Sequence, residues 1–295
     1  MSSHRVTENS ALLSYLLKAF PQNKRTATKQ LLKYGAVTVN GKIVTQHDHL
    51  LKVGDEILFR PKPKETIKRP ALKTPFPIVY EDESLIVIDK PERLLSIATE
   101  KIKTHTVYYE LTDYVRSTGP TGKDRIFVVH RLDRDASGLL LFAKNEAVKF
   151  LLQKNWDKAV KKYYAIIEGT PRAKSDTIES HLTEDKFRRV YSAKETRFSK
   201  HALTQYRVLK SSEKYSLLEV TLLTGRKNQI RVHLSELGHP IIGDEKYGSV
   251  SDPAGRLGLH AFWLSFVHPA TNEEMKFELA LPEKLKRMAA RMNAI

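Results

Sequence analysis

Apolar residues recur at two different periods along this chain, and together these periods predict an α+β protein. Apolar or β-branched stretches typical of strands occupy Ser84–Asp89, Phe127–His130, Gly138–Ala143, Tyr163–Ile167, Ser216–Leu223 and Lys276–Leu281. Helical spacing occurs at Glu146–Trp156 and at Asn228–Leu237, which Gly238 ends as a C-terminal cap. Because several strands follow one another without an intervening helix, we expect a mixed, largely antiparallel central sheet with flanking helices.

The N-terminal pattern predicts a second, smaller module over residues 10–60. The expected elements are a helix at Arg25–Tyr34 that stops at Gly35, a strand and an Asn-Gly turn at residues 36–42, and a turn and strand at residues 52–59. Arg25, Lys29 and Lys33 recur every four residues and so share one helix face, where like charges repel each other. A row of phosphates would account for this face, and an ordinary solvated helix is the alternative.

Proline and basic residues dominate residues 61–76, a composition typical of a stiff, extended linker to a larger domain at 77–295. The chain carries 50 Lys and Arg against 34 Asp and Glu, a net charge of +16. Residues 1–76 alone carry 14 against 5, a net charge of +9. Nucleic acid is the commonest partner for such an excess, because Lys and Arg neutralise the phosphates and thereby release the counterions condensed on them. Simple solubility or an anionic membrane surface are the alternatives.

Cysteine is absent, which excludes disulfides and thiolate chemistry and, with them, most zinc sites. The 11 histidines include no His-Glu-x-x-His pair, and no cofactor motif is present, so we expect neither a metal nor a cofactor. No apolar run approaches the ~18–20 residues that a membrane helix needs, and the first residues lack a signal-peptide pattern. We therefore expect a cytoplasmic, monomeric protein that does not enter a membrane.

The first candidate for chemistry is a polar loop, Arg131–Ser137, which lies between two apolar strands and holds two Asp and two Arg. Loops that rigid strands position often carry catalytic groups. An Asp beside a fixed Arg is expected to stay ionised well below its ordinary pKa of ~3.9, which suits nucleophilic or electrostatic work. A turn in which Asp133 or Asp135 caps backbone N–H groups is the alternative.

Three segments together resemble the RluA-type pseudouridine synthases. They are His-Arg-Leu-Asp-x-x-x-Ser-Gly-Leu-Leu-Leu at 130–141, Lys-Lys-Tyr-Tyr-Ala at 161–165, and Thr-Gly-Arg-Lys-Asn-Gln-Ile-Arg-Val-His at 224–233. Further blocks at 238–248 and 256–261 extend the resemblance over roughly residues 76–282. Gly-Ala-Val-Thr-Val-Asn-Gly-Lys at 35–42, followed by Val-Gly-Asp-Glu-Ile, resembles the αL RNA-binding domain. That second resemblance implies that Arg25, Lys29 and Lys33 face structured RNA.

The resemblance to the synthases implies a role for each matching residue. Asp133 would be the catalytic carboxylate, and Arg231 would pair with it. Tyr163 would lie against the target base, with Ile230 as an apolar wall behind that base, and Arg131 would help to extrude the uridine. A core tyrosine and a solvated surface arginine are the alternatives for Tyr163 and Arg231.

The activity that this resemblance implies is the isomerisation of uridine to pseudouridine in structured RNA, without a cofactor. The N-terminal αL domain favours large-subunit ribosomal RNA, and transfer RNA is the alternative. A non-catalytic RNA-binding or ribosome-assembly protein and a hydrolase that uses Asp133 with Asp135 are rival classes. Three departures from the family bear on substrate choice. Ala136 stands in place of the common Thr, Lys227-Asn228 replaces Thr-His, and the Gly usual after Lys90-Pro91 is missing.

Overall fold

The computed structural model describes residues 3–21, 25–33, 36–59, 74, 76–100, 102–119, 122 and 124–294. The chain divides into two compact units, Met1–Pro70 and Ala71–Ile295. Residues 60–73 and 75, which make up most of the predicted linker, lie outside the described residues, and so does Gly35. Within the described part of the chain, no helix is both long and apolar enough to cross a membrane.

The N-terminal unit packs two helices on short antiparallel strands. Its elements are β1 (Ser3–Arg5), β2 (Ser10–Ala11), α1 (Leu12–Ala19), α2 (Arg25–Lys33), β3 (Val37–Val39), β4 (Lys42–Ile43), β5 (Leu50–Leu51) and β6 (Glu56–Phe59). The four-stranded sheet has the order β1-β6-β3-β4, and β2 pairs with β5. The predicted Asn-Gly turn joins β3 to β4, since Asn40 and Gly41 take positive φ angles of 49° and 78°. Arg25 and Lys29 are exposed on α2, while the Lys33 side chain lies outside the described residues.

The C-terminal unit is built on one large sheet with helices against it. Its strands are β7 (Ile78–Glu81), β8 (Leu85–Lys90), β9 (Phe127–Val128), β10 (Ser137–Ala143), β11 (Val160–Glu168), β12 (Ser175–Glu184), β13 (Val190–Ala193), β14 (Lys200–Ser211), β15 (Tyr215–Leu222), β16 (Leu259–Val267), β17 (Glu274–Glu278) and β18 (Asn293–Ala294). Its helices are α3 (Val107–Thr118), α4 (Glu146–Lys154), α5 (Gln229–Glu236) and α6 (Glu283–Ala289), with a 3-10 turn at Glu245–Tyr247.

The strand order of this sheet is β13-β12-β14-β15-β11-β16-β10-β8-β7, with β17 on β16, β18 on β14 and β9 on β10. Among the described strands β10 and β16 pair in parallel, and the other pairs are antiparallel. The predicted fold class, α+β with a mixed and largely antiparallel sheet, is therefore confirmed. Gly138 permits the parallel pairing, because its φ is 114° and a Cβ there would lie 2.2 Å from the Ala261 carbonyl oxygen.

The predicted strands of this unit all differ from the structure at one end or both, and two of them end at least two residues early. The strand expected at Phe127–His130 ends at Val128, because His130 Nε2 accepts the Leu141 backbone N–H at 3.0 Å in place of a ladder bond. Burial lowers the pKa of His130 to about 3, so this nitrogen stays an acceptor. The strand expected at Lys276–Leu281 spans Glu274–Glu278, since a tight turn through Asn272 (φ 64°) lets pairing with β16 begin earlier.

Candidate active site

A cavity of about 640 Å³ opens in the C-terminal unit, between the loop that precedes β10 and the loop that precedes α5. The predicted residues that line it are Arg131, Asp133, Tyr163, Ile230 and Arg231. They come from three separate stretches of the chain: the β9–β10 loop, strand β11 and helix α5. The fold therefore gathers into one cavity the residues that were predicted from three distant motifs.

Buried polar groups fix the backbone on both sides of Asp133. The Ser96 hydroxyl donates to the Leu132 carbonyl at 2.7 Å and accepts the Leu132 N–H at 3.1 Å. Lys90 is fully buried, and its ammonium group donates to the Arg134 carbonyl at 3.0 Å and to two nearer backbone carbonyls at 2.7 Å. Burial lowers the pKa of Lys90 to about 7. The residues before and after Asp133 are thus anchored, which restricts where its side chain can point.

Arg231 is 9% exposed, so the solvated surface arginine is excluded. Its Nε and Nη2 each donate at 2.7 Å to the carboxylate of Asp244, which is 1% exposed. Its Nη1 lies 3.4 Å from Asp133 Oδ2. A bidentate arginine–carboxylate pair is short, planar and strong. Asp244 therefore fixes the guanidinium, and Arg231 presents its remaining nitrogen to Asp133.

Burial raises the pKa of the Asp133 carboxyl above its ordinary value, and the negative charge of Asp244 adds to the rise. Arg231 and Arg131 lower this pKa without cancelling the effect of burial. The expectation that a neighbouring arginine holds the pKa well below its ordinary value is therefore wrong, because the loss of water outweighs the ion pair. A carboxylate with a raised pKa is a stronger base and nucleophile than one in water.

Asn228 completes the surroundings of Asp133. Its backbone is left-handed, with φ 54° and ψ 19°, at the position just before α5. One side of its amide faces both Asp133 oxygens at 3.0 and 3.1 Å, and the other side faces the Tyr247 hydroxyl at 2.9 Å. Both neighbours are satisfied when the amide nitrogen points to Asp133 and the amide oxygen to Tyr247.

An aromatic and an aliphatic side chain supply the apolar part of the cavity. Tyr163 is 8% exposed and Ile230 is 4% exposed, and both belong to the core under the cavity. Burial raises the pKa of the Tyr163 phenol, which keeps it neutral. Tyr164 lies on the opposite face of β11, where it stacks on Phe262 with ring centroids 3.8 Å apart. Strand alternation therefore directs Tyr163, and not Tyr164, towards the cavity.

Two further polar residues of α5, Gln229 and His233, hold the helix to the sheet. Gln229 accepts from Thr224 at 2.8 Å and donates to Thr204 Oγ1 at 2.8 Å. One turn later, His233 bonds to Thr204 at 2.9 Å through Nδ1 and to Ser180 at 2.9 Å through Nε2. These bonds set the rotation of α5 that directs Arg231 into the cavity.

The second aspartate of the loop has different surroundings. Asp135 forms an ion pair with its neighbour Arg134 at 2.9 Å, and the Arg134 side chain is 60% exposed. Asp135 is not among the described residues that line the cavity. The geometry therefore gives the cavity a single aspartate from this loop, and it does not favour a hydrolase that uses Asp133 with Asp135.

Sequence reasoning missed the residues that support Asp133 from outside the motifs. Asp244 and Tyr247 lie in the Gly-Asp-Glu-Lys-Tyr-Gly segment, which carried a resemblance but received no role. Asn228 was noted only as a departure from the family. Asp244 directly follows the apolar stretch Ile241-Ile242-Gly243 and has no basic residue at helical spacing, and this is the signal that could have pointed to it as a partner for a distant arginine.

Comparison with known proteins supplies independent evidence. The RNA pseudouridylate synthase family model matches residues 84–236, and the S4 domain model matches residues 12–57. An RNA pseudouridine synthase of Aquifex aeolicus is 33% identical over 95% of this chain and 92% of its own length. The ribosomal large subunit pseudouridine synthase D of Vibrio cholerae is 30% identical over 91% of this chain and 87% of its own. The structure of human RNA pseudouridylate synthase domain containing 4 is 25% identical with a TM-score of 0.60, covering 74% of this chain and 94% of that chain.

Proposed function

Because this chain belongs to the RNA pseudouridylate synthase family and carries an N-terminal S4 domain, we propose that it isomerises specific uridines of large-subunit ribosomal RNA with Asp133 as the catalytic carboxylate. The observation that carries the proposal is the position of Asp133 in the cavity. It lies 3.4 Å from the guanidinium of Arg231 and within hydrogen-bond distance of Asn228. Tyr163 and Ile230 line the same cavity and offer the apolar surface that a base requires.

The reaction needs no oxidant and no group donor. The bond between uracil N1 and ribose C1′ breaks, the uracil turns, and C5 bonds to C1′. The hydrogen on C5 leaves as a proton and N1 takes up a proton, so the product is an isomer of the substrate. A deprotonated Asp133 has three ways to act in this sequence: attack on C1′, addition to C6 of the ring, or removal of a ribose proton. Each requires a free carboxylate oxygen at the cavity, and the Asp133 side chain is 24% exposed there.

The target uridine must leave its stack to reach this cavity, at a cost of a few kcal/mol. Stacking on an aromatic side chain contributes ~1–3 kcal/mol in the opposite direction, and we assign this role to Tyr163, which lines the cavity. Arg131 is exposed beside the cavity, where its side chain is free to fill the gap that the uridine leaves. The bound base would thus be held between Tyr163 and Ile230, with its ribose near Asp133.

Two observations favour ribosomal RNA as the substrate. The Vibrio relative is named for the large ribosomal subunit, and the match to it includes most of this chain. The N-terminal unit has the S4 fold and exposes Arg25 and Lys29 on α2, which suits the phosphates of structured RNA.

The test is to map pseudouridines in total RNA from a strain that lacks the gene and from its parent. We expect one or more sites to disappear from large-subunit ribosomal RNA and to return with the unaltered gene but not with Asp133→Asn. Loss confined to transfer RNA would overturn the ribosomal assignment. Restoration of the sites by Asp133→Asn would overturn the role of the carboxylate.

A further inference from the structure

We propose that Asn228 is a positioning residue that holds the Asp133 carboxylate in its reactive orientation, through a one-way hydrogen-bond chain that begins at the Val190 backbone N–H. The inference rests on the proposed function, because it assumes that Asp133 acts on the uridine. It concerns the position at which this chain departs from the usual Thr-His pair of its family, so it assigns a role to a residue that the family pattern does not explain.

The direction of the chain follows from its two ends. The Val190 N–H is a fixed donor, and it lies 3.2 Å from the Tyr247 hydroxyl, which accepts. At the other end an ionised Asp133 carboxylate only accepts, so Asn228 turns its amide nitrogen to Asp133. The amide oxygen of Asn228 then faces the Tyr247 hydroxyl at 2.9 Å and accepts its hydrogen. The two distances from that nitrogen, 3.0 and 3.1 Å, show that it contacts both carboxylate oxygens.

The 3-10 turn that begins at Asp244 and ends at Tyr247 supports Asp133 from two directions. Asp244 fixes Arg231, the charged neighbour, and Tyr247 fixes Asn228, the neutral neighbour. Both lie in the same 3-10 turn, which the Tyr247 N–H closes on the Asp244 carbonyl at 3.0 Å. The Tyr247 ring also lies 5.0 Å from the Arg231 guanidinium. The carboxylate thus has a donor on each side, and both donors are oriented by this turn.

The choice of asparagine suits this position in two ways. Its backbone is left-handed, a conformation that asparagine adopts at lower cost than most residues. Its amide also has no ionisation near neutral pH, so it donates to Asp133 at every pH at which the enzyme works. A histidine here would change its charge near neutral pH. Asn228 therefore adds no ionisation of its own beside Asp133.

The decisive variant is Asn228→Asp, which preserves size and tolerates the left-handed backbone but replaces a donor by a second carboxylate. Like charge beside Asp133 raises its pKa. We expect the single-turnover rate at neutral pH to fall by roughly 10-fold to 100-fold, the scale of a lost hydrogen bond to a charged group. We also expect the acid limb of the pH–rate profile to move to higher pH, with little change in RNA affinity.

Two further variants keep the test decisive. Tyr247→Phe removes the hydroxyl that orients the amide and accepts the Val190 N–H, and we expect a several-fold lower rate with unchanged RNA affinity. Asn272→Asp is the matched control, because Asn272 is also left-handed, with φ 64°, but exposed in the β16–β17 turn. It should leave both the rate and the pH profile unchanged. The probe is total RNA from the deletion strain, labelled with 5-³H-uridine, with enzyme in excess and tritium release as the readout.

An Asn228→Asp enzyme with the unaltered rate and acid limb would overturn the inference. A lower rate without movement of the acid limb would overturn it too, since that pattern indicates only a damaged fold. If Asn228→Asp does not fold, an unchanged rate in Tyr247→Phe would overturn the inference instead. Asp133→Asn is assayed alongside: activity in that variant sinks the proposed function itself, whereas an inert Asp133→Asn with a normal Asn228→Asp sinks this inference alone.

Discussion

The N-terminal unit exposes Arg25 and Lys29 on α2, whereas the C-terminal unit buries Arg231 and Asp244 beside its cavity and bonds them to each other. Arg25 and Lys29 lie in solvent. Arg231 and Asp244 are 9% and 1% exposed and share two hydrogen bonds of 2.7 Å. Exposed charges contribute little to stability and are free to meet phosphates, while buried ones depend on their partners.

This contrast distinguishes the residues that set RNA affinity from the residues that set the rate of the reaction. Phosphate contacts dominate the binding of nucleic acid and weaken with salt. Buried and oriented charges act on the reacting atoms, where the low local dielectric strengthens them. We therefore expect changes in the cavity to reduce the rate at saturating RNA, and changes on α2 to raise the RNA concentration that saturation requires.

The largest effect is expected at Asp133. Asp133→Asn should abolish isomerisation and leave RNA affinity nearly intact. The reaction needs the carboxylate, whereas contacts with phosphates dominate the binding of RNA. Asp135→Asn is the matched control, since Asp135 pairs with the largely exposed Arg134. Tritium release and filter binding on the same preparations measure both quantities. A normal Asp133→Asn beside an inert Asp135→Asn would show that the chemistry belongs to the other aspartate.

Asp244→Ala should come next, and it should reduce stability as well as rate. It leaves the Arg231 guanidinium buried without its bidentate partner, and breaking such a pair costs roughly 3–5 kcal/mol. Thermal unfolding should show a clear decrease in the melting temperature. The exposed neighbour Glu245, changed to Gln, provides the control and should unfold as the unaltered protein does. Equal melting temperatures for Asp244→Ala and Glu245→Gln would contradict the structural role of the pair.

Tyr163 should show a smaller effect that depends on the ring. Tyr163→Phe should retain most activity, whereas Tyr163→Ala should lose roughly 5-fold to 150-fold, which corresponds to ~1–3 kcal/mol for base stacking. Tyr164→Ala is the contrast, because its ring packs on Phe262 on the other face of β11 and its removal should lower stability. If Phe were as damaging as Ala at position 163, the hydroxyl would have a chemical role.

The smallest effect on the maximal rate is expected on α2. Changing Arg25, Lys29 and Lys33 together to Gln should weaken RNA binding and flatten its dependence on salt, by roughly one unit of slope for each phosphate that is no longer neutralised. Lys18→Gln is the control, because Lys18 already pairs with Glu8 at 2.7 Å. Titrations of RNA binding at several salt concentrations measure the slope. An unchanged slope in the triple variant would remove α2 from the RNA-binding surface.

Sequence patterns predicted the strands whose apolar character is continuous, such as β8 and β10. They missed β12 and β16 for different reasons. Ser175–Glu184 is largely polar because half of its residues are exposed, and the apolar run of Leu259–Val267 is interrupted by His260 and Ser265, which the fold buries. Neither strand shows the apolar–polar alternation that marks a half-buried strand.

The site residues that lie in short motifs could be predicted from the sequence. The residues that join the site only through tertiary contacts could not. Asp133, Tyr163 and Arg231 lie within recognisable segments. Asp244 and Asn228 acquire their roles only when the fold brings α5, the 3-10 turn and the β9–β10 loop together. The sign of the Asp133 pKa shift was also wrong, because the sequence shows the nearby arginine but not the extent of burial.

The division of work between the two units is tested most directly by deleting residues 1–70 and measuring single-turnover rates over a range of RNA concentrations. Removal of the basic unit should raise the RNA concentration needed for half-maximal rate and reduce its dependence on salt. The cavity with Asp133, Tyr163 and Arg231 is retained, so the maximal rate should stay close to that of the full chain. A truncated protein that is folded, saturated with RNA and inert would contradict the account.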